Sequence, residues 1–140
     1  MKTFYALLNI VILFNLSGCA KKEISVNIYD SNEYKSLTNK QIILGESIWA
    51  TACFRCHRRG INGAVILEEK EYWDKAAAKG TDELFNSVWE GYKGENGVMP
   101  PKGFYNLGSK DEIRTSVLYL FYLAKKAQAA NEINSNLEGT

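Results

Sequence analysis

Two thiols and an imidazole stand within five residues, Cys53-Phe54-Arg55-Cys56-His57. Thiols at this spacing can each form a thioether with a porphyrin vinyl group while the adjacent imidazole reaches the metal, which is the C-x-x-C-H pattern of covalent haem attachment. Other chemistries fit less well. A structural zinc site needs four ligands, and the chain has 3 cysteines and 1 histidine, with Cys19 far from the rest. A thioredoxin-like pair expects a strand before the motif in a βαβ setting, whereas helical periodicity precedes Cys53. A plain disulfide would leave His57 unexplained.

An iron held by His57 has a second axial position. The only histidine is already used, and of the 2 methionines Met1 begins the chain, so elimination leaves Met99. Met99 precedes Pro100-Pro101, whose fixed φ angles stiffen a loop that must hold a weak thioether bond. The competing role is filler of an apolar core, the commoner use of methionine; a glycine-rich loop beside two prolines favours the ligand. His57 should give its other ring N–H to a backbone carbonyl shortly after Gly63. Histidine and methionine on both faces would leave the iron no free site for substrate and favour a relatively high reduction potential, which argues for electron carriage and not for an enzyme.

Helices must position these groups. From Asn39 the residues Ile42, Ile43, Gly45, Ile48, Trp49 and Ala52 fall on neighbouring helical faces, with Thr38 or Asn39 as N-cap, and this helix runs into Cys53. A second helix is expected from Lys70 to Lys79, closed by Gly80, and a third from about Asp82 to Gly91. Glycines and Pro100-Pro101 make 91–108 a loop. The last helix opens on a capping box, Ser109 with Glu112, and carries Ile113, Val117, Leu120, Phe121 and Ala124. No strand is expected, so the class is all-α, about four helices with a thin core of the kind that needs a staple or a cofactor.

The amino terminus reads as a targeting segment: Lys2, a mostly apolar run from Phe4 to Leu16, then Ser17 and Gly18. Leu16-Ser17-Gly18-Cys19 resembles the lipobox of bacterial lipoproteins, which implies lipidation of Cys19; a simple signal peptide or an uncleaved anchor is the alternative. Residues 1–18 are then a signal peptide, 19–37 a flexible tether, 38–126 the folded domain and 127–140 a frayed or disordered tail. The whole chain has 17 basic and 16 acidic residues, and Lys2 is the single charge in the first twenty, so the mature chain is neutral. Nothing global points to nucleic acid.

The pattern from Gly45 to Ala124 resembles a class I cytochrome c, and most closely the small monohaem cytochrome c₅ group. The resemblance rests on Gly45, Trp49, Cys53 to His57, Gly60, Gly63-Ala64, Trp73, Gly80, Leu84, Gly91, Met99-Pro100-Pro101-Lys102-Gly103, Glu112 and Tyr119, in register without gaps. It implies one covalent haem c, an all-α fold whose first and last helices cross near Gly45, Trp49, Ser116 and Tyr119, redox proteins as partners, and a monomer. Three departures stand out. Val65 replaces a proline whose carbonyl accepts the His57 ring hydrogen. Ala76 replaces an arginine, which leaves the haem propionates to Trp73, Lys75 or Lys79, with Pro100 completing the haem-binding set. Tyr105 and Gly108 replace the cysteines of a disulfide found in many members.

The function so implied is a single-electron carrier on the periplasmic side of a bacterial envelope, held to the membrane by lipid, with the outer membrane favoured by Ala20 after the lipidated cysteine. Two alternatives remain: a dedicated haem subunit of an envelope oxidoreductase, and a small-ligand sensor in which Met99 is displaced. Arg55, Arg58, Arg59 and Lys102 would form a basic rim for an acidic partner, or else balance propionates and Glu68 and Glu69, or face water. Cys19→Ala should release the protein from membranes or leave it unprocessed. Fractionation identical to wild type would refute the lipid anchor.

Overall fold

The computed structural model describes residues 25–138, so the expected signal peptide and the Cys19 lipidation site lie outside the described residues. The fold is built on helices: α1 (Asn32–Lys35), α2 (Asn39–Ile48), α3 (Phe54–His57), α4 (Lys70–Ala77), α5 (Thr81–Glu90) and α6 (Lys110–Glu138). Sequence-encoded caps set their starts. Thr38 and Gln41 close a capping box on α2, with Gln41 N–H donating to Thr38 Oγ1 at 3.3 Å and Thr38 N–H donating to Gln41 Oε1 at 3.0 Å. Ser109 and Glu112 do the same for α6, at 3.3 and 2.8 Å. Gly80 and Gly91, at φ 82° and 87°, separate α4 from α5 and α5 from the loop, since residues with a Cβ avoid that region.

α2 does not continue unbroken into the thiols. Between Trp49 and Cys53 the turn widens, and Phe54 N–H bonds back to the Trp49 carbonyl five residues earlier, a π-type turn of the sort found near functional sites. α2 and α6 cross at Gly45, where a Cβ would overlap the Tyr119 side chain. The core is Trp49, Leu67, Trp73, Ala76, Ala77 and one face of α6, with Phe121 edge-on to Trp73 at 5.3 Å between centroids.

Two expectations are corrected at the ends. Residues 25–37 do not form a loose tether: a short 3₁₀ turn (Ile28–Asp30) and α1 fold onto α6, Ile28 is 0 % exposed, and Tyr29 meets Phe121 edge-on at 5.8 Å. Arg114 of α6 clamps this segment, donating to both Glu33 carboxylate oxygens and to Asp82 at 2.7 Å. The sequence hid this because Ile28, Tyr29, Tyr34 and Leu37 follow neither helical nor strand periodicity in a segment made of turns. At the other end, α6 extends through Glu138, and Gln128 is buried, its side chain donating to the Leu67 carbonyl at 3.3 Å; exposure becomes continuous from Ala129. Among the described residues, and against the expectation of none, strands form one antiparallel pair of two residues each, β1 (Tyr92–Lys93) and β2 (Val98–Met99), which pairs Tyr92 with Met99.

If residues 25–37 belong to the fold, Ile28→Ala should cost about 2–5 kcal/mol, the usual range for a fully buried isoleucine. Urea unfolding followed by circular dichroism measures it. A change within error of zero would restore the tether.

Candidate haem site

Cys53 ends the π-type turn, and Cys56 and His57 lie on α3, so a short run of non-ideal turns presents all three groups. Both thiols are free and partly buried. Burial, and then the neighbouring Cys56, push the Cys53 thiol up to about 11, so it stays a neutral thiol near neutral pH.

His57 Nδ1 lies 2.9 Å from the Val65 carbonyl oxygen. A carbonyl only accepts, so Nδ1 carries the hydrogen and Nε2 keeps its lone pair. Burial lowers the His57 pKa from its ordinary value while the Val65 bond opposes that shift; the result favours the neutral imidazole that a metal requires. Valine thus fulfils the role in which the resemblance has proline. Its neighbour is held as well: Trp73 Nε1 donates to the Ile66 carbonyl at 2.7 Å, and the Trp73 ring lies 6.1 Å from that of His57.

Two contacts close loops around the thiols. A Cβ at Gly63 would collide with the Asn96 backbone, and one at Gly97 with the Asn62 carbonyl, so the segment after His57 abuts the segment before Met99. On the far side of Met99, the Gly103 Cβ position lies 3.9 Å from Ala52 Cβ, in the turn before Cys53. Met99 is half-buried on β2, and Pro100 is extended at φ −69°, ψ 156° before Pro101 opens a 3₁₀ turn (Pro101–Phe104). The chain therefore brings the segment after His57 against the segment before Met99, and the turn after Met99 near the turn that precedes Cys53.

Each of the expected propionate partners has a contact within the chain. The single N–H of Trp73 donates to Ile66, and the residue is 3 % exposed. Lys75 pairs with Glu71 at 2.6 Å, and Lys79 with Glu83 at 3.5 Å while lying 5.7 Å from the Tyr92 ring centroid. Lys102 Nζ sits 4.5 Å from the Trp89 ring centroid. Arg55, Arg58 and Arg59 remain exposed, and among the described residues none has an ion pair or ring partner. Trp89 and Ile66 escaped the sequence reading; a tryptophan two residues before a loop glycine was the available signal.

The donor set fits haem c: two uncommitted thiols three residues apart, a neutral imidazole with Nε2 free, and among the described residues no cluster of three or more histidine, cysteine or acidic groups suited to another metal. The family model described as cytochrome c oxidase, cbb3-type, subunit III matches residues 41–120. The chain is a class I c-type cytochrome. As such it carries covalent haem c, and Cys53 and Cys56 occupy the attachment motif.

The cytochrome is similar to cytochrome c-555 of Chlorobaculum tepidum, 30% identical over 76 residues that span 54% of this chain and 70% of the relative. It is equally similar to cytochrome c-555 of Chlorobaculum thiosulfatiphilum, at 30% over 76 residues and 88% of that protein. Among solved structures it resembles a chain in an electron transfer complex of nitrite reductase with cytochrome c, with a TM-score of 0.50 and 32% identity over 58% of this chain and 94% of that one.

With both thiols consumed, haem should stay with the polypeptide through acid-acetone extraction, and replacing both Cys53 and Cys56 with Ala should make it extractable. Extraction from the wild-type cytochrome would mean that the thiols carry no thioethers.

Proposed function

We propose that this cytochrome is a single-electron carrier, lipid-anchored through Cys19 on the periplasmic side of a bacterial envelope, with His57 and Met99 as axial ligands. The observation that carries the reading is the Val65 bond to His57 Nδ1, which fixes both tautomer and ring orientation and leaves Nε2 as a ligand. Haem c supplies a one-electron couple. The chain's residues would hold it through the thiols of Cys53 and Cys56, the neutral imidazole of His57, and the thioether of Met99 on a proline-stiffened loop. With both His57 and Met99 bound to its iron, the haem would have no site for substrate, and the thioether would favour a relatively high potential.

Partner choice follows from charge. Arg55 lies three and four residues before Arg58 and Arg59, so the three unpaired cations share one side of α3 and its exit, beside Phe54 and Ile61, each 41% exposed. Such a surface suits an acidic redox protein, in keeping with the similarity to a chain in an electron transfer complex. The family model's own description favours a second reading, a dedicated haem subunit of an envelope oxidoreductase. Co-purification with a stoichiometric enzyme would select it over a free carrier.

The oxidised protein should show the weak far-red sulfur-to-iron absorption band, and Met99→Ala should abolish it and lower the potential while the haem stays covalently bound. A wild-type spectrum without that band, together with carbon monoxide binding to the reduced protein, would select the sensor. Electron transfer to the partner should slow as salt rises, since screening is strong beyond about 8 Å at roughly physiological ionic strength. A rate unmoved by salt and by charge reversal at Arg58 and Arg59 would refute the acidic partner.

A further inference from the structure

The loop that carries Met99 begins and ends against α5. At its start, a Cβ on Gly91 would meet the Met99 carbonyl oxygen at 2.9 Å and Pro101 at 3.0 Å, so the last residues of α5 and the strand bearing Met99 lie back to back. Beyond the prolines, Lys102, Gly103 and Phe104 take φ values of 54°, 58° and 67°, three successive left-handed residues of which two carry side chains. L residues avoid this region, bulky ones most of all, and a run of them persists only where surrounding contacts hold it. Phe104 supplies little of that, being 78% exposed.

Lys102 supplies it instead. Its Nζ lies 4.5 Å from the centroid of the Trp89 ring, well within cation–π range, and Lys110 Nζ lies 5.7 Å from the same ring. Trp89 is itself steadied by stacking on Phe85, one turn earlier on α5, at 5.8 Å and 28°. Tyr105 and Gly108 offer no covalent cross-link here, although Gly108 packs so close to the Tyr105 ring that a Cβ would come within 2.9 Å. The left-handed turn two residues beyond Pro100 is thus joined to α5 through one cation and one ring.

We propose that Lys102 and Trp89 form a latch that positions Met99, setting how firmly the thioether holds its axial place. They are positioning residues, and the inference rests on the reading of Met99 as the sixth ligand. The latch acts by keeping the Met99 loop closed, so releasing it should favour any ligand that competes for the iron.

The test uses the full, haem-loaded protein with imidazole as the competing ligand, read by the far-red sulfur-to-iron band and by visible titration. Lys102→Met keeps the side chain's length and removes its charge. It should tighten imidazole binding by roughly three- to thirtyfold, the range such a contact commands. Trp89→Leu should do likewise, the double variant should go little further than either single one, and Lys102→Arg should restore wild-type affinity. Far-UV circular dichroism and retention of covalent haem report folding; should Trp89→Leu fail to fold, Lys102→Met and its arginine counterpart carry the test. A wild-type protein lacking the band overturns the ligand reading and the latch with it. A wild-type band with imidazole affinity unchanged in Lys102→Met, or fully additive effects in the double variant, overturns the latch alone.

Discussion

A Cβ on Gly45 would overlap Tyr119, so α2 and α6 meet there with no side chain between them on the α2 side. This approach carries Ile48 and Trp49 into the core and delivers the two thiols, through the π-type turn, to the core's rim. The remainder of the site follows as a chain of contacts from α6. Phe121 meets Trp73 edge-on and seats α4; Trp73 spends its N–H on the Ile66 carbonyl; and the adjacent carbonyl, that of Val65, then takes the His57 ring hydrogen. Imidazole orientation is therefore determined by a helix crossing several contacts away. Val65 stands where a proline is expected, and its carbonyl still takes the His57 ring hydrogen beside the indole bond at Ile66.

Much of this was legible in the sequence, because the information is local. C-x-x-C-H is a contiguous motif, Thr38 is an N-cap residue, Ser109 with Glu112 is a capping box spanning four residues, and Gly80 and Gly91 mark turns that demand positive φ. What escaped is which partner each polar group takes once the chain is folded. Trp73, Lys75 and Lys79 are expected propionate partners by charge and hydrogen-bonding capacity, and within the chain their polar ends meet Ile66, Glu71 and Glu83, four to seven residues away. Lys102, in sequence a candidate rim cation, lies over an indole that only the folded loop brings near. The widening between Trp49 and Cys53 leaves no compositional trace either, since its residues are ordinary helix formers or tolerated ones.

The segment between Trp49 and Gly63 shows how unevenly order is distributed. It consists of one π-type turn, one turn of α3 and the left-handed residues Gly60, Asn62 and Gly63. None of these is stable alone, because a single helical turn fixes several dihedral angles for very few hydrogen bonds. Their conformation is imposed from outside by the Val65 and Asn96 contacts. The functional groups are thus held on backbone with little intrinsic preference, while α2, α4 and α6 provide the scaffold. Substitutions that alter the iron's surroundings can fall on the former without dismantling the latter.

The folded amino-terminal segment illustrates which forces dominate in so small a domain. Arg114 reaches Glu33 and Asp82, but these are surface pairs whose carboxylates are 46% and 83% exposed, and such pairs are worth about 0–1 kcal/mol each. Ile28, wholly buried, is worth about 1.5–3 kcal/mol by transfer alone. Tyr29 adds an edge-on contact to Phe121, the residue that seats Trp73, so the segment covers the side of the core on which His57 orientation depends. The apolar contacts therefore supply the adhesion. Arg114, joining α1 to the start of α5 across α6, selects the register in which that adhesion occurs. A stretch rich in charges and short polar residues can in this way be part of a hydrophobic core, provided that one or two side chains of the right shape arrive at the right depth.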